Sequence, residues 1–308
     1  MDDSNGADPQ PGSVPRMPFR WEDPHLYAAQ LAAHYQAVRR RGAIDIVATA
    51  RALVERTGLR PEDPLFRAAE MVAQVAYNRP FEQARLLTDV TRSQALMLQR
   101  HSAPEYHNPF HAFEVACNVA ILLDVGADLS PRYGALTLVA ALGHDLCHDG
   151  GSNRRPFHLE SRAVHVVRSV AREAGASEQD QIDLEALIFA TDVASARPTL
   201  SALIDGAAPP AEFPLELTRI VQDSELARAA AVIVDGDVLC SAGLTWEMHR
   251  FQSEALGREW NREMGARDAV FFLDTLLGRR FLSRGGQYFM PNLLRNFERA
   301  NSELTAVV

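Results

Sequence analysis

Lysine is absent from the 308-residue chain, and all 31 basic residues are arginine. We attribute this exclusive use of arginine to the base composition of a GC-rich genome, and it indicates no particular function. The 40 acidic residues leave a formal net charge of −9. No basic stripe of the kind that nucleic-acid-binding proteins use to neutralise phosphates stands out along the sequence. The composition therefore argues against nucleic acid as a partner.

Cysteine and long apolar runs are also scarce. Cys117, Cys147 and Cys240 are the three cysteines, each in an apolar run, which predicts free thiols in a reducing compartment. Residues 1–20 lack the basic start and apolar core of a signal peptide, and we expect them to form a disordered leader. No uninterrupted apolar run reaches roughly 18 residues, so we expect no membrane span and a cytoplasmic protein.

The alternation of apolar and polar residues that is typical of β-strands is almost absent. From Trp21 onward, apolar residues recur at three- and four-residue spacing, which predicts amphipathic helices. Breaks fall at 150–156, at "DGAAPPAEFP" and at 285–286. No repeat or linker divides the chain, so we predict one all-α domain over 21–308, a compact multi-helix bundle. Charged stretches such as "REWNREMGARD" are interpreted as solvated faces.

Two histidine pairs carry the clearest chemical signal. His107 and His111, in "YHNPFHAFEV", and His144 and His148, in "GHDLCHDGG", are each four residues apart among apolar residues. On a helix this spacing puts both imidazoles on one face. Asp145 adjoins His144, and burying such a charge is costly unless it is paired or bound to a metal. The pattern therefore predicts a metal site.

Further carboxylates in apolar stretches extend the candidate set: Glu114, Glu160, Asp192, Asp235 and Asp237. Imidazole and carboxylate ligands suit zinc, manganese, iron or nickel, whereas carboxylates and water suit magnesium. A metal makes its bound water a nucleophile near neutral pH. A histidine beside the metal can then protonate the leaving oxygen. His107 is the candidate for this acid, and His111 is the candidate ligand.

These segments, in this order, resemble the catalytic domain of class I cyclic nucleotide phosphodiesterases, which belongs to the HD-domain metal-dependent phosphohydrolases. "YHNPFHAFEV" is similar to the family's Y-H-N-x-x-H-A-x-x-V, and "HDLCHDGGSN" is similar to H-D-x-x-H-x-G-x-x-N. "LESRAVHVV", "ATDVASA" and "VDGDVLCSA" correspond to the segment of the family's glutamate, to A-T-D-M and to H-x-A-D-L-S-N. The resemblance covers roughly residues 70–300 and indicates a divergent bacterial member.

The resemblance implies an all-α fold with metal motifs at 106–237 and substrate-pocket helices at 238–300. It implies that a tightly held metal, typically zinc, is bound by His111, His144, Asp145 and Asp237. Asp145 would bridge to a second metal, typically magnesium or manganese, and iron is an alternative metal. The implied reaction is hydrolysis of a small-molecule phosphate ester, and the implied substrate is a 3′,5′-cyclic nucleotide.

The resemblance also assigns roles to the other residues of the motifs. His107, Asp145 and His148 form the implied catalytic group, in which His107 protonates the departing ester oxygen after attack by metal-bound hydroxide. The residues implied to order water, to orient ligands or to shape the site are Tyr106, Asn108, His148, Glu160, Thr191 and Asp192.

The purine-binding segment departs from the family pattern S-Q-x-x-F-I. The best local match, "RDAVFFLD", places Asp268 at the glutamine position and Phe271 at the stacking phenylalanine. A glutamine amide offers a donor and an acceptor, whereas an ionised aspartate only accepts. Val234 and Cys240 also replace the histidine and asparagine of H-x-A-D-L-S-N. The metal residues are therefore retained, while the organic pocket differs.

Four functions stay open on the sequence alone. They are a cyclic-nucleotide phosphodiesterase, a hydrolase of the same fold acting on a different phosphate ester, an HD-type di-iron oxygenase with His148 as an extra ligand, and a non-catalytic metal-binding module. The presence of every proposed ligand and of His107 argues against the last. Asp235 and Asp237 do not share a helix face, and the family register selects Asp237 as the ligand. The oligomeric state is not predicted.

Overall fold

The computed structural model describes residues 23–40, 86, 89, 90, 93, 104–126 and 129–306. The predicted leader, 1–20, and most of the helices predicted between 41 and 103 lie outside these described residues. No described residue lies in a β-strand, so the prediction of an all-α fold is confirmed. Cys117 and Cys240 are buried free thiols, and Cys147 is partly buried.

The α-helices of the described part are α1 (Pro24–Arg40), α2 (Pro109–Gly126), α3 (Pro131–Gly143), α4 (His158–Glu173), α5 (Glu178–Phe189), α6 (Val193–Ile204), α7 (Thr218–Gln222), α8 (Ser224–Ala242), α9 (Trp246–Glu259), α10 (Ala266–Val270) and α11 (Met290–Ala306). Short 3-10 turns lie at Leu215–Leu217 and Gly286–Phe289, and a π-helical turn lies at Phe271–Leu276.

Local sequence sets where two central helices begin. Ser130 caps α3, because its side chain accepts a hydrogen bond from the Tyr133 amide, and Pro131 supplies the fixed backbone angle favoured at a first helical position. Asp223 caps α8 by accepting hydrogen bonds from first-turn amides, including that of Leu226 at 3.1 Å. Asp223 thus separates the short helix α7 from the long helix α8.

Helix α8 is central to the bundle and contacts α2, α3, α5, α6 and α9. It approaches α2 closely at Gly236, where a Cβ atom would lie 2.6 Å from Val119 Cγ2. Asn118 spans this contact, because its side-chain amide donates to the Gly236 carbonyl at 2.8 Å. The glycine therefore sets a distance between the two helices that a larger residue would increase.

Helix α1 packs onto α2 through two polar contacts. The Tyr35 hydroxyl donates to Asn118 Oδ1 at 2.6 Å, and Arg39 donates through Nε and Nη2 to the Glu114 carboxylate at 2.7 and 2.8 Å. The Arg39 guanidinium also lies 5.1 Å from the centroid of the Phe251 ring. Because Glu114 is 1% exposed, this paired hydrogen bonding supplies the cationic partner that a buried carboxylate requires.

By length and composition alone, α2 is apolar enough to cross a membrane, and the bent pairs α5 with α6 and α8 with α9 pass the same test. In this structure 67% of the tested window of α2 is buried inside the protein. Contacts with α3 and α8 thus account for its apolar composition. The absence of a membrane span stays a prediction.

We expect Gly236→Ala to lower the free energy of unfolding by about 1–3 kcal/mol, because overpacking pushes α2 and α8 apart. Val119 is β-branched and stiff, so it yields little space. Urea denaturation monitored by circular dichroism measures the change.

Gly134→Ala is the matched control in α3, where the new Cβ would meet only Leu123 Cδ1, at 4.0 Å. Replacing this helical glycine should stabilise the protein by roughly 0.5–1 kcal/mol. A Gly236→Ala protein that is as stable as the Gly134→Ala protein would contradict the packing argument.

Candidate metal centre

Four candidate ligands converge where α2, α3 and α8 meet. His111 lies in the first turn of α2, His144 follows the last residue of α3, and Asp237 lies in the second half of α8. Asp145 begins the turn after α3, in which Cys147 has a left-handed φ of 66°. Because α3 ends here, the consecutive residues His144 and Asp145 can face the same point.

The helical spacing predicted for the two histidine pairs is wrong. α2 begins after His107, and α3 ends before His148. Each pair therefore straddles a helix end instead of lying on one helix face. One member of each pair, His111 or His144, joins the convergent ligands, and the other member lies in a neighbouring group.

The ligand atoms of His111, His144 and Asp237 lie close enough together to hold one metal ion, and Asp145 adjoins both imidazoles. His111 Nε2 is 3.1 Å from Asp237 Oδ1 and 3.4 Å from Asp145 Oδ2. His144 Nε2 is 3.1 Å from Asp145 Oδ2 and 3.4 Å from Asp237 Oδ1. Each imidazole Nε2 therefore lies within reach of both carboxylates, as nitrogen and oxygen ligands of a shared cation do. We call these four residues the metal centre.

Hydrogen bonds do not explain this convergence. The Nε2 atoms of His111 and His144 and the Oδ2 atom of Asp145 are buried without a hydrogen-bond partner among the described residues. Such atoms are costly to bury, and a cation between them would satisfy all three. His144 Nδ1 donates to the Ala141 carbonyl at 2.9 Å, which leaves the Nε2 lone pair directed at the centre. The residues present therefore fit a divalent cation.

The charges of the metal centre depend on one another. Burial acts to lower the pKa of His144, but Asp145 and Asp237 outweigh burial and raise this pKa well above its usual value. Burial acts to raise the pKa of both aspartates, but the imidazoles outweigh it and lower the pKa of each. The carboxylates thus favour positive charge at this point, which a divalent cation supplies when it displaces the imidazole protons.

Asp235 and Asp237 have different surroundings, although one residue separates them. Asp237 faces the metal centre, whereas Asp235 is fully buried and accepts hydrogen bonds from the amides of Leu282 and Ser283 at 3.0 and 2.6 Å. Burial raises the pKa of Asp235 to about 6. Residues i and i+2 point about 200° apart on a helix. Asp235 therefore ties a distant segment to α8 and takes no part in the metal centre.

His107, His148 and Glu259 form a second group beside the metal centre. The rings of His107 and His148 stack with centroids 3.6 Å apart and planes 22° apart. Glu259 Oε1 lies 2.5 Å from His107 Nδ1, and Oε2 accepts hydrogen bonds from the Tyr106 and His107 amides at 2.8 and 3.0 Å. The ligand atoms of the three residues lie within 4.8 Å of one another, but the two ring planes are nearly parallel and 3.6 Å apart, so one cation cannot lie in the plane of both rings. The group instead orients His107.

The two stacked histidines differ in their affinity for protons. Burial acts to lower the pKa of His107, but Asp145 and Glu259 outweigh burial and raise it. Burial, followed by the charge on His107, lowers the pKa of His148 to about 4. His148 Nδ1 accepts a hydrogen bond from the Gly150 amide at 3.1 Å, so that nitrogen carries no proton. The pair therefore holds its positive charge on His107.

The sequence interpretation missed Glu259, which lies in the stretch assigned to a solvated face. That assignment is wrong for this residue, because the Glu259 side chain is 2% exposed. Gln252, Ala255 and Glu259 follow one another at three- and four-residue spacing on α9, and the first two are buried. This spacing is the signal of a core-facing stripe that would have identified Glu259.

Glu160 and Asp192 meet through Asn153, which the sequence interpretation did not single out. The Asn153 amide donates to both Glu160 oxygens, at 3.1 and 3.0 Å, and to Asp192 Oδ2 at 3.3 Å. Burial raises the pKa of Glu160 to about 7, and Asp192 and Asp145 add to the rise. Glu160 is thus within electrostatic reach of the metal centre. The Thr191 hydroxyl instead donates to a carbonyl of α5.

Tyr106 and Asn108 hold the chain where it enters α2. Asn108 Oδ1 accepts hydrogen bonds from the Phe110 and His111 amides at 2.9 and 3.3 Å, which caps the helix. The Tyr106 ring packs on the His111 ring with centroids 4.6 Å apart, and its hydroxyl lies 3.3 Å from Ser241 Oγ. Both residues therefore position His111.

Asp268 and Phe271 lie near the start of α10 and of the π-helical turn that follows it. Asp268 Oδ1 pairs with Arg262 at 2.8 Å, and Oδ2 accepts a hydrogen bond from the Gly265 amide at 2.9 Å, at the start of α10. Phe271 begins the π-helical turn and is 52% exposed. The contacts of Asp268 are those of a helix cap, so its place at a purine edge stays a prediction.

No protein-family model and no curated protein matches the chain. Its fold is similar to that of the Leishmania phosphodiesterase LmjPDEB1 in complex with IBMX, at 18% identity and a TM-score of 0.55 over 90% of this chain and 98% of that chain. It is also similar to two structures of the phosphodiesterase domain of the Salpingoeca rosetta rhodopsin phosphodiesterase. Their identities are 15% and 16%, and their TM-scores are 0.58 and 0.52. The two matches cover 85% and 83% of this chain and 88% and 96% of the matched chains. The likeness shows a phosphodiesterase-like fold.

We expect Glu259→Gln to lower the pKa of His107, because it removes a carboxylate charge that favours the protonated imidazole but keeps a hydrogen-bond acceptor. An NMR titration of the histidine Cε1 signals in the metal-free protein measures this pKa.

Glu254→Gln is the control, since Glu254 lies on the same helix with its side chain 56% exposed. It should leave the pKa of His107 unchanged. If the pKa of His107 were the same in both variants, Glu259 would not be the residue that sets it.

Proposed function

We propose that the protein is a metal-dependent phosphodiesterase that hydrolyses a phosphate ester. The substrate that we propose first is a 3′,5′-cyclic nucleotide. The observation that carries the proposal is the convergence of two imidazoles, each with Nε2 3.1–3.4 Å from both the Asp145 and the Asp237 carboxylate, beside an imidazole held by Glu259. The phosphodiesterase-like fold supports the same function. The IBMX complex of the Leishmania protein supports a small-molecule site in such a fold.

His111, His144, Asp145 and Asp237 would hold the cation. A divalent cation bound there would polarise the phosphate oxygens and activate water for attack near neutral pH. Imidazole and carboxylate donors suit zinc, with magnesium or manganese as a second metal at Asp145. The two imidazoles are 2% exposed, and the two carboxylates are 16% and 18% exposed. A phosphate ester would therefore approach from the carboxylate side.

His107 would act as the general acid. Glu259 holds its Nδ1 atom, so Nε2 is the nitrogen left to give a proton to the leaving ester oxygen. Asp145 and Glu259 raise the pKa of His107, which favours the protonated ring. The His107 and His111 ring centroids are 5.7 Å apart, so the acid and the metal centre face one small volume. The neutral ring of His148 packs flat on His107 and limits its rotation.

Hydrolysis of a different phosphate ester is the second candidate function. It is favoured by the contacts of Asp268, whose carboxylate is already used by Arg262 and by the Gly265 amide. The metal chemistry is the same for both candidates, so substrate preference separates them. The oxygenase alternative would use His148 as a further ligand, but this ring stacks on His107 and accepts a hydrogen bond through Nδ1.

We expect Zn²⁺ to raise the midpoint of thermal unfolding of the metal-free protein. A ligand that binds only the folded state stabilises it by about 2.7 kcal/mol at a hundredfold excess over its Kd. Asp237→Asn should abolish most of this increase, because it removes a charged ligand. Differential scanning calorimetry, with protein-bound zinc counted by mass spectrometry, checks both statements.

Asp274→Asn is the matched control, since Asp274 is an exposed carboxylate that pairs with Arg279. It should keep the full increase. The same zinc stoichiometry and the same increase in the two variants would place the cation away from Asp237.

We expect His107→Gln to lower kcat for a cyclic nucleotide by about 10²–10⁴-fold, because the alkoxide leaving group needs a proton. The loss should be much smaller for bis(p-nitrophenyl) phosphate, whose leaving group departs as a stable anion. Steady-state kinetics of the metal-loaded protein on cAMP, cGMP and the artificial diester measure both effects.

His165→Gln, at an exposed histidine of α4, is the control and should keep full activity on every substrate. Equal losses on the two substrate types would show that His107 is not the acid. Turnover of the artificial diester without turnover of cAMP or cGMP would favour the second candidate function. An inactive protein with zinc, magnesium and manganese would overturn the proposal.

A further inference from the structure

A cavity of about 680 Å³ lies against α8, away from the metal centre. The residues of α8 that line it are spaced three and four apart and share one face of the helix: Ser224, Ala227, Arg228, Ala231 and Val232. At about 100° per residue, Asp237 lies on the opposite side of α8 from Arg228 and Ala231. One helix therefore serves two separate sites.

The walls of this cavity are mostly aliphatic. Apart from α8, the apolar side chains come from the loop before α3, from α6, from α7 and from the segment before the last 3-10 turn: Leu129, Leu203, Ile204, Ile220, Val221 and Leu282. A concave, largely apolar space of 300–1,000 Å³, with a few polar groups at fixed places, is typical of a small-molecule site.

The charged residues described at the cavity are cationic. Among the described residues that line it, only Arg228 and Arg284 are charged. Neither guanidinium is ion-paired with a carboxylate in the described part of the chain. Elsewhere on the surface, Arg262 and Arg280 each pair with an aspartate at 2.8 Å. The cavity thus offers two cationic groups next to aliphatic walls.

The segment that carries Arg284 is held in place before any ligand binds. Asp235 of α8 accepts hydrogen bonds from the Leu282 and Ser283 amides at 3.0 and 2.6 Å. Ser283 Oγ then accepts a hydrogen bond from the Gly286 amide at 2.9 Å. A wall that is already ordered lowers the entropic cost of binding.

We propose that this cavity binds an amphipathic anion, with its apolar part on the aliphatic walls and its carboxylate or phosphate group at Arg228 and Arg284. Guanidinium groups bind such oxyanions through paired N–H donors. The walls favour an anion with an apolar body over an inorganic anion, because burial of apolar surface supplies the remaining affinity. The site is independent of the chemistry at the metal centre.

Isothermal titration calorimetry with octanoate, octyl phosphate, 1-octanol and acetate tests the proposal on the full chain. We expect one of the octyl anions to bind at least about tenfold more tightly than 1-octanol, which lacks the charge, and than acetate, which lacks the tail. The anion with the lower Kd identifies the preferred head group. Binding of 1-octanol as tight as that of both anions, or no binding of either anion at millimolar concentration, would overturn the proposal.

The double variant Arg228→Gln/Arg284→Gln locates the site. It should raise the Kd of the octyl anion by about tenfold or more, since charge-assisted hydrogen bonds are lost. Arg172→Gln/Arg267→Gln makes the same change of charge at two other exposed arginines and should leave the Kd unchanged. Equal affinities of the two double variants would place the anion elsewhere. Circular dichroism confirms that both variants are folded.

Discussion

The close packing of α2 on α8 is the constraint on which the rest of the structure depends. Gly236 has no Cβ, so the backbone of α8 can approach Val119, and Asn118 closes the contact with a hydrogen bond. The same two helices carry His111 and Asp237, whose ligand atoms are 3.1 Å apart. A metal ligand set tolerates errors of only a few tenths of an ångström. The interhelical distance is therefore part of the site.

Opposite charges organise the region around these helices. Each protonatable ring that the proposed chemistry uses has a carboxylate beside it: His144 has Asp145 and Asp237, and His107 has Glu259. His148 differs, because burial and the charge on His107 outweigh the nearby carboxylates and lower its pKa to about 4. This asymmetry places the positive charge of the stacked pair on His107 and leaves His148 neutral. Neighbouring histidines thus differ in charge because Glu259 is hydrogen-bonded to His107, whose charge disfavours a second proton on His148.

Sequence patterns alone were sufficient for the fold class, because helical spacing is a local pattern, whereas the ligand set was implied by the family resemblance. Three- and four-residue apolar spacing predicted helices, and the described residues contain helices and no strand. Clustered histidines and aspartates predicted a metal site, the resemblance implied His111, His144, Asp145 and Asp237 as its ligands, and these four side chains lie together in the structure. The sequence interpretation did not predict that the helices end between the paired histidines, because ends depend on caps and turns such as Asn108 and the left-handed Cys147.

Longer-range contacts were beyond the sequence interpretation. Glu259 is 152 residues from His107 along the chain, and a single charged residue near a helix end looks solvated unless its core-facing spacing is noticed. The capping contacts of Asp268 were not predicted for a similar reason. A match to a short motif does not show which neighbouring groups pair with the carboxylate or donate hydrogen bonds to it. Partners across helices are fixed by packing, which one-dimensional patterns record only in part.

Arg39 extends the functional unit toward the N-terminus. Its partner Glu114 lies one helical turn after His111 and also accepts a hydrogen bond from Gln252 at 3.0 Å, on the helix that carries Glu259. Through Arg39, α1 thus neutralises the Glu114 carboxylate, which links α2, the helix of His111, to α9, the helix of Glu259. A shorter chain that began at Pro104 would keep every recognisable motif but would leave that buried carboxylate without this arginine. The smallest unit able to hold the site therefore begins well before its first motif, at α1.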